Sequence, residues 1–328
     1  MRNRVRVPLM LAIASFAAGS WLPAAAQTAE SFPSRTVRII VPFPAGGTAD
    51  VLPRIVGDKL STMWGQPVIV ENRPGAGGNI GADAVSRSDP DGHTLLSSPP
   101  GPLAINHNLY KKLNYDPTKL VPVSVLATVP NVLATRANLP AKSVKELIET
   151  SKQSPGKITF ASQGSGSTSH LTAAMFQTMA GVQMLHVPYK GTAPALTDLI
   201  GGQVDIFFDN LASSLPQHRA GKLRILAVGS PKRHPALPDV PTIAEAALPG
   251  FQSVTWFAVA APPGTPDPIV QKISAAIDEV LKMPDVRKRF EEQTADAVGG
   301  APAQAAAFFA DEAARWHQVI KTSNVTVD

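Results

Sequence analysis

Thr36 to Arg54 reads TVRIIVPFPAGGTADVLPR, a β-branched run, a Pro/Gly loop and a helix start in direct succession. Val37, Ile39, Ile40 and Val41 have the branched side chains of a buried strand, and Pro42 and Pro44 cannot continue a ladder, so the strand ends near Val41. Ala45, Gly46 and Gly47 give a backbone that turns sharply and can come close to another molecule. Val51, Ile55, Val56 and Leu60 then carry helical spacing. Pro53 is expected within the first four helical residues, whose N–H groups have no partner, which puts the cap at Ala49 or Asp50, with Asp50 the better capping residue. A strand, a glycine loop and a helix N-terminus together form a cup of free N–H groups at the positive end of a helix dipole. Phe43, Pro44, Ala45, Gly46, Gly47, Thr48 and Asp50 are therefore candidate anion-binding residues; an ordinary tight turn is the plain alternative.

Outward from this cup, Met1 to Ala26 has the form of a leader peptide. Arg2, Arg4 and Arg6 make a basic start, Val7 to Leu22 is mostly apolar, and Ala24-Ala25-Ala26 suits signal peptidase, so export with cleavage before Gln27 is expected. No other stretch is long and apolar enough to cross a bilayer, and the mature chain is expected to be soluble. The chain has no cysteine, which excludes disulfides, thiol nucleophiles and thiolate metal sites. Three of the 30 basic residues fall in the leader, so 27 face 25 acidic ones and the net charge drops from +5 to +2. That bias, with no Lys/Arg run, gives no support for a nucleic-acid partner.

The first lobe continues through a second strand at Gln66 to Val70 and a glycine cluster, Glu71-Asn72-Arg73-Pro74-Gly75-Ala76-Gly77-Gly78-Asn79-Ile80-Gly81. This cluster is not a dinucleotide fingerprint, because the third glycine position is Ile80. It suits a second wall of the same cleft or a helix start, and no cofactor is expected. His93 to Leu96 is a third strand, followed by Ser97-Ser98-Pro99-Pro100-Gly101. Alternating strands and helices of this kind predict a mainly parallel sheet covered on both faces.

Val121 to Val129 and Val132 to Ala134, interrupted at Pro130-Asn131, lead into a second lobe. Ser143 with Glu146 predicts a capping box there, and Thr242 with Glu245 a second one. Lys157 to Ala161 is a strand that runs into Ser162-Gln163-Gly164-Ser165-Gly166-Ser167-Thr168-Ser169-His170, and Leu171, Met175 and Met179 mark the buried side of the helix beyond. The opening motif is thus repeated in kind, and both loops fall at strand C-terminal ends, where doubly wound sheets place ligands. Gln163, Gly164, Ser165, Gly166, Ser167, Thr168 and His170 join the candidate site, facing the first cup across a cleft. A strand from Val204 to Phe208 delivers Asp209 and Asn210 to the cleft edge. Asp209 either accepts from a ligand ammonium or hydroxyl or caps the following helix, Asn210 to Gln217. Trp256 to Ala260 returns the chain to the first lobe, two amphipathic helices close it (Ile269 to Val280 and Phe309 to Ile320), and the two crossings make a hinge.

The leader, VPFPAGGTAD, ENRPGAGGNIGA, DPDGHTLL, SQGSGSTSHL, HVPYKGTAPALTDLIGGQVD, GKLRILAV and LPDVPTIAEA, in this order over nearly the whole mature chain, resemble the substrate-binding proteins of tripartite tricarboxylate transporters, the Bug family. The resemblance implies a type II periplasmic binding protein fold, two α/β lobes joined by two crossovers, with lobe 1 from 27–128 and 250–328 and lobe 2 from 129–249. It implies a small carboxylate ligand, held by backbone N–H groups and ordered waters rather than a dedicated arginine, and delivery to a large and a small membrane subunit. It places the family's ligand loops on Phe43 to Asp50 and Gln163 to His170, and a further cleft position on Asp209. Leu52-Pro53 and the proline-rich Ser97 to Pro102 depart from the family pattern. A monomer suits a receptor that closes around its ligand and docks.

Two rival classes stand beside this reading. A hydrolase needs a nucleophile beside a base, but Gly164-Ser165-Gly166-Ser167 is not a nucleophile elbow, because the residue two past the candidate serine is not glycine. His93, His170 and His186 are isolated in sequence, and no carboxylate pair or H-x-x-x-H spacing suggests a metal, so the chain reads as a binding protein rather than an enzyme. A receptor that docks on a signalling protein is the second rival, and the residues do not separate it from transport.

Overall fold

The computed structural model describes residues 31–327; the leader expected at 1–26 lies outside them. The first lobe opens with β1 (Val37–Val41), α1 (Thr48–Trp64), β2 (Val68–Asn72), α2 (Asn79–Ser86) and β3 (Thr94–Ser98). A long strand, β4 (Val121–Arg136), leads to α3 (Val144–Gln153), β5 (Thr159–Ser162), α4 (Thr168–Ala180), β6 (Leu185–Pro188), α5 (Thr192–Ile200), β7 (Ile206–Asn210), α6 (Leu211–Arg219), β8 (Leu223–Val228) and α7 (Ile243–Ala246). The chain then returns through β9 (Val254–Ala261), α8 (Asp267–Lys282), α9 (Pro284–Glu292), β10 (Asp296–Gly299) and α10 (Pro302–Ser323).

The strands lie in the order β2-β1-β3-β9-β4-β7-β5-β6, with β8 and β10 also paired to β4. At one end β1 runs parallel to β2 and β3; at the other, β5 runs parallel to β6 and β7. These two parallel groups are the halves of the expected α/β architecture, and their strands all deliver their C-terminal ends to the space between the lobes. Apolar clusters cover both faces of each half: Val37, Ile39, Leu52 and Ile55 on one side of lobe 1 and Ile40, Leu96 and Trp256 on the other. Phe160, Phe176 and Phe208 cover one side of lobe 2, and Ala161, Leu199 and Phe207 the other.

The sequence breaks β4 at Pro130-Asn131, whereas the strand is continuous. Pro130 is the last residue paired with β9, opposite Val254, and Asn131 the first paired with β7, opposite Asn210. A residue without an N–H is tolerated there because the strand is exchanging one set of neighbours for another. Beside it runs the second crossing. Asn131 N–H donates to Ser253 O (3.3 Å), Gly229 N–H to Asn131 O (2.6 Å) and Ser253 N–H to Gly229 O (2.8 Å), so both crossings are tied by main-chain bonds. Fully buried side chains bond over them. Asn131 Nδ2 donates to Ser253 Oγ (2.7 Å), Asn131 Oδ1 accepts from Thr255 Oγ1 (2.9 Å), and Thr255 Oγ1 meets Thr168 Oγ1 (2.9 Å) at the first residue of α4.

A further connection was not foreseen. Trp316 and Ile320 of α10 pack with Ile105 and Leu109 of lobe 1 against Leu171 of α4, so the closing helix spans both lobes. Elsewhere the register differs in detail. Gly47, not Asp50, precedes the first helical residue, and Pro53 sits in the interior of α1. The buried face of α4 is Leu171, Thr172, Ala173 and Phe176, while Met179 is exposed, because both α10 and the lobe 2 core press on this helix. The Thr242/Glu245 capping box is complete; at Ser143 only half forms, since Glu146 Oε2 accepts from Lys142 N–H instead.

A Cβ on Gly229 would lie 2.6 Å from Ser253 O and 3.0 Å from Asn131 O, both main-chain atoms of the hinge. We therefore expect Gly229→Ala to destabilise the protein by about 1–3 kcal/mol, the cost of forced overpacking, read as a thermal midpoint lowered by several degrees. An unchanged midpoint would show that the two crossings are free to part.

Candidate functional site

Between the lobes lies a cavity of about 320 Å³. Its first wall is the loop after β1: Phe43, Pro44, Ala45, Gly46, Gly47 and Thr48 all line it. Asp50 does not. Its carboxylate turns back into lobe 1, where Oδ2 accepts from Gly46 N–H (3.0 Å) and Oδ1 from Arg54 (2.8 Å) and Asn72 Nδ2 (2.8 Å). Burial alone would raise its pKa, but the bonds from Arg54, Gly46 and Asn72 prevail and hold it below the usual carboxylate range. Asp50 is thus the staple of the loop. It satisfies Gly46 N–H, while those of Thr48 and Ala49, in the first turn of α1 at the cavity wall, have no helical acceptor.

The second wall is the loop after β5, with Gln163, Gly164, Ser165, Ser167 and Thr168 lining the cavity. Ser167 Oγ caps α4 by accepting from His170 N–H (3.3 Å) and donates to Gly164 O (2.6 Å). Gly166 and His170, expected in the site, stand behind it. The space beyond Gly166 belongs to Leu109, 3.0 Å from where a Cβ would sit. His170 Nδ1 accepts from Gly166 N–H (3.2 Å) while its ring stacks on His186 at 4.1 Å. His186 Nε2 shares a hydrogen bond with Ser162 Oγ (2.6 Å), which accepts from Gly164 N–H (3.2 Å). The histidine pair therefore braces the glycine loop from outside the cavity. Burial, and for His170 also the neighbouring His186, pushes these imidazoles down to about 3 and about 4, so both are neutral, and His170 Nδ1 is free to accept.

Asp209 also stands apart from the cavity. It is fully buried and does not cap α6, whose preceding residue is Asn210. Its Oδ1 accepts from Gln163 Nε2 (3.0 Å) and its Oδ2 from Ser214 Oγ (2.8 Å). Burial drives its pKa up to about 7 against the opposing donors Ser214, Asn210 N–H and Gln163.

Two further walls complete the cavity, of which sequence reasoning placed only Asn210 at the cleft edge. Gly191, Thr192 and Ala193 bring the N-terminus of α5 to the cavity, and Asn210, Ala212 and Ser213 that of α6. Both follow strands that flank β5, and position at a strand C-terminal end was the signal that could have found them. Four helix N-termini thus converge on one space. No carboxylate lines it among the described residues, and Lys190 is the one charged side chain that does. Thr48 Oγ1 and Asn210 Oδ1 are buried beside it with no protein partner. Gly77, Pro99 and Gly101 complete the lobe 1 side, so the glycine cluster and the proline-rich turn are cleft walls. The lips meet: a Cβ on Gly191 would lie 3.5 Å from the Pro44 ring, and one on Gly47 3.9 Å from Thr192 Oγ1.

Two α/β lobes, two strand crossings and a cavity walled by helix N-termini define a solute-binding protein. Residues 52–325 match the model of the tripartite tricarboxylate transporter family receptor, and the chain belongs to that family. BugT of Bordetella pertussis is 41% identical, with 97% of this chain and 98% of BugT covered. A protein of R. palustris solved with adipate is 40% identical, with a TM-score of 0.87 over 90% of this chain and 99% of its own. MatC from Rhodopseudomonas palustris, solved with bound malate, is 36% identical, with a TM-score of 0.83 over 88% of this chain and 100% of its own.

The histidine brace carries a pH signature. The unfolded chain takes up protons near pH 6.5 that the folded imidazoles refuse, so their contribution is complete above that value and is lost on acidification toward about 3. We expect the unfolding midpoint to fall between pH 7 and pH 4.5, and to fall less in His170→Phe, which keeps a stacked ring and cannot be protonated.

Proposed function

We propose that this protein is an exported receptor that captures a small carboxylate in the cavity between lobe 1 (27–128 and 250–328) and lobe 2 (129–249) and hands it to the membrane subunits of a tripartite tricarboxylate-type transporter. The observation that carries this reading is the convergence of four helix N-termini and Lys190 on a cavity with no lining carboxylate among the described residues. Each helix end contributes about 0.3–1 kcal/mol to a nearby anion, more when it is partly buried. A carboxylate taking about four N–H or hydroxyl bonds, at roughly 1.5–3 kcal/mol each, reaches the 8 kcal/mol or so of a micromolar complex before ordering costs. No arginine is needed for this. The adipate and malate found with the two R. palustris proteins support the ligand class, and the expected leader supports a periplasmic location. Export, the membrane subunits and a monomeric receptor belong to the proposal.

The ligand class is tested by thermal unfolding of refolded, ligand-free protein against small carboxylic acids and their neutral amides. Ligand at about a hundred times its dissociation constant stabilises by roughly 2.7 kcal/mol, a midpoint shift of several degrees. A shift with an acid and none with its amide is expected; equal shifts, or none with any acid, overturn the reading.

The first wall is tested by Gly47→Val. Gly47 has an extended backbone (φ −90°, ψ 172°) open to a branched residue, and a side chain there enters the cavity mouth. We expect the variant to fold with an unaltered midpoint and to lose the ligand-induced shift. Normal affinity in the folded variant would remove this loop from the site.

A further inference from the structure

α10 runs for 22 residues, roughly 33 Å, and its two halves are held by different lobes. The first half is sunk in lobe 1, where Ala305, Phe308, Phe309 and Ala313 pack with Trp256 of β9. The second half carries Trp316 and Ile320, which with Ile105 and Leu109 of lobe 1 bury Leu171 of α4. The 105–110 segment is fastened to the same half: His317 Nδ1 shares a hydrogen bond with Asn108 Oδ1 (3.0 Å), and Tyr110 pairs with Val327 just past the helix. Lobe 1 therefore offers a two-part shoulder on which α4 of lobe 2 rests. Leu171 and Trp316 are both fully buried, so parting the shoulder from α4 brings apolar surface into water. At its outer end the hydroxyls of Thr178 and Ser323 share a hydrogen bond (3.0 Å).

Glu312 joins the two halves. Its Oε2 accepts from Trp256 Nε1 (2.7 Å) and Trp316 Nε1 (3.0 Å), and its Oε1 from Arg315 (2.9 Å), whose other nitrogen donates to Gln252 O (2.9 Å) at the second crossing. A buried indole N–H needs an acceptor, and one carboxylate serves both the indole of the crossing strand and the indole of the shoulder. β4 and β9 link the lobes covalently, whereas α4 and α10 are joined by contact alone. Rotation of the lobes about the crossings displaces Leu171 from beneath Trp316 and Ile320. The shoulder is made in the arrangement in which the lips meet, with Gly191 beside the Pro44 ring.

We propose that α10 is a latch between the lobes: anchored to β9 through Glu312, its second half grips α4 and biases the protein toward the arrangement with meeting lips. The bias does not depend on which solute is bound. It raises the fraction of molecules competent to hold a solute, so weakening the latch lowers apparent affinity by the factor by which that fraction falls.

The test is small-angle X-ray scattering of the refolded, ligand-free protein, each variant first shown to melt cooperatively. Leu171→Ala thins the contact from the lobe 2 side, and we expect it to enlarge the radius of gyration. The chain has no cysteine, so Thr178→Cys with Ser323→Cys adds a single thiol pair across the latch, where the two hydroxyls already touch. Oxidising that pair in the Leu171→Ala background should return the radius to its original value, and reduction should undo the return. Glu312→Ala, which leaves both indoles without an acceptor, should enlarge the radius as Leu171→Ala does. A radius unaltered in folded Leu171→Ala, or enlarged there and indifferent to oxidation, overturns the latch. A radius unaltered in folded Glu312→Ala removes the anchoring role from that residue. No ligand enters the measurement, so either failure leaves the carboxylate reading standing.

Discussion

Both lobes hang on one residue pair, Asn131 and Ser253, where the two crossing strands touch. Their main-chain and side-chain bonds are buried, so each must be made within the protein or its polar atoms go unsatisfied. The hydroxyl chain that starts there runs through Thr255 to Thr168 at the N-terminus of α4, a wall of the cavity. The hinge and the cavity wall therefore share hydrogen bonds. On the opposite side α10 presses Trp316 and Ile320 against the lobe 1 residue Leu109 and the α4 residue Leu171. Closure around a ligand then combines bending at β4 and β9 with sliding along this apolar face.

How the cavity favours an anion follows from what does not surround it. Asp50, beside the first loop, and Asp209, bonded to Gln163 of the second, are both turned away from the cavity and held by donors. What remains lining it is four helix N-termini and one lysine, with no carboxylate among the described residues. Fixed dipoles of this kind reorganise little when the ligand enters, so the cost of preorganisation is met during folding rather than at binding.

Much of this was legible in the sequence where local chemistry decides structure. The β-branched run before Pro42 made β1, and the two strand-to-loop-to-helix patterns placed both cups. What local patterning could not show was the direction of side chains whose partners lie far along the chain. Asp50 looked like a cap, but Asn72 and Arg54 draw it inward. His170 lay in the right loop, yet His186 and Phe160 claim its ring. The walls from α5 and α6 depend on which strands neighbour β5, a property of topology rather than of any segment. Pro130 argued against a continuous strand because its tolerance rests on a change of partner that the sequence does not display.

A grip made of main-chain N–H groups has a consequence for how such receptors diversify. Short of proline, substitution cannot delete a backbone donor, so drift in the side chains of the first loop would leave the proposed anion capture in place as long as its glycines keep their conformation. The strand-end side chains of lobe 2 are under no such restraint. Changes there would reshape the wall without removing the main-chain N–H groups opposite.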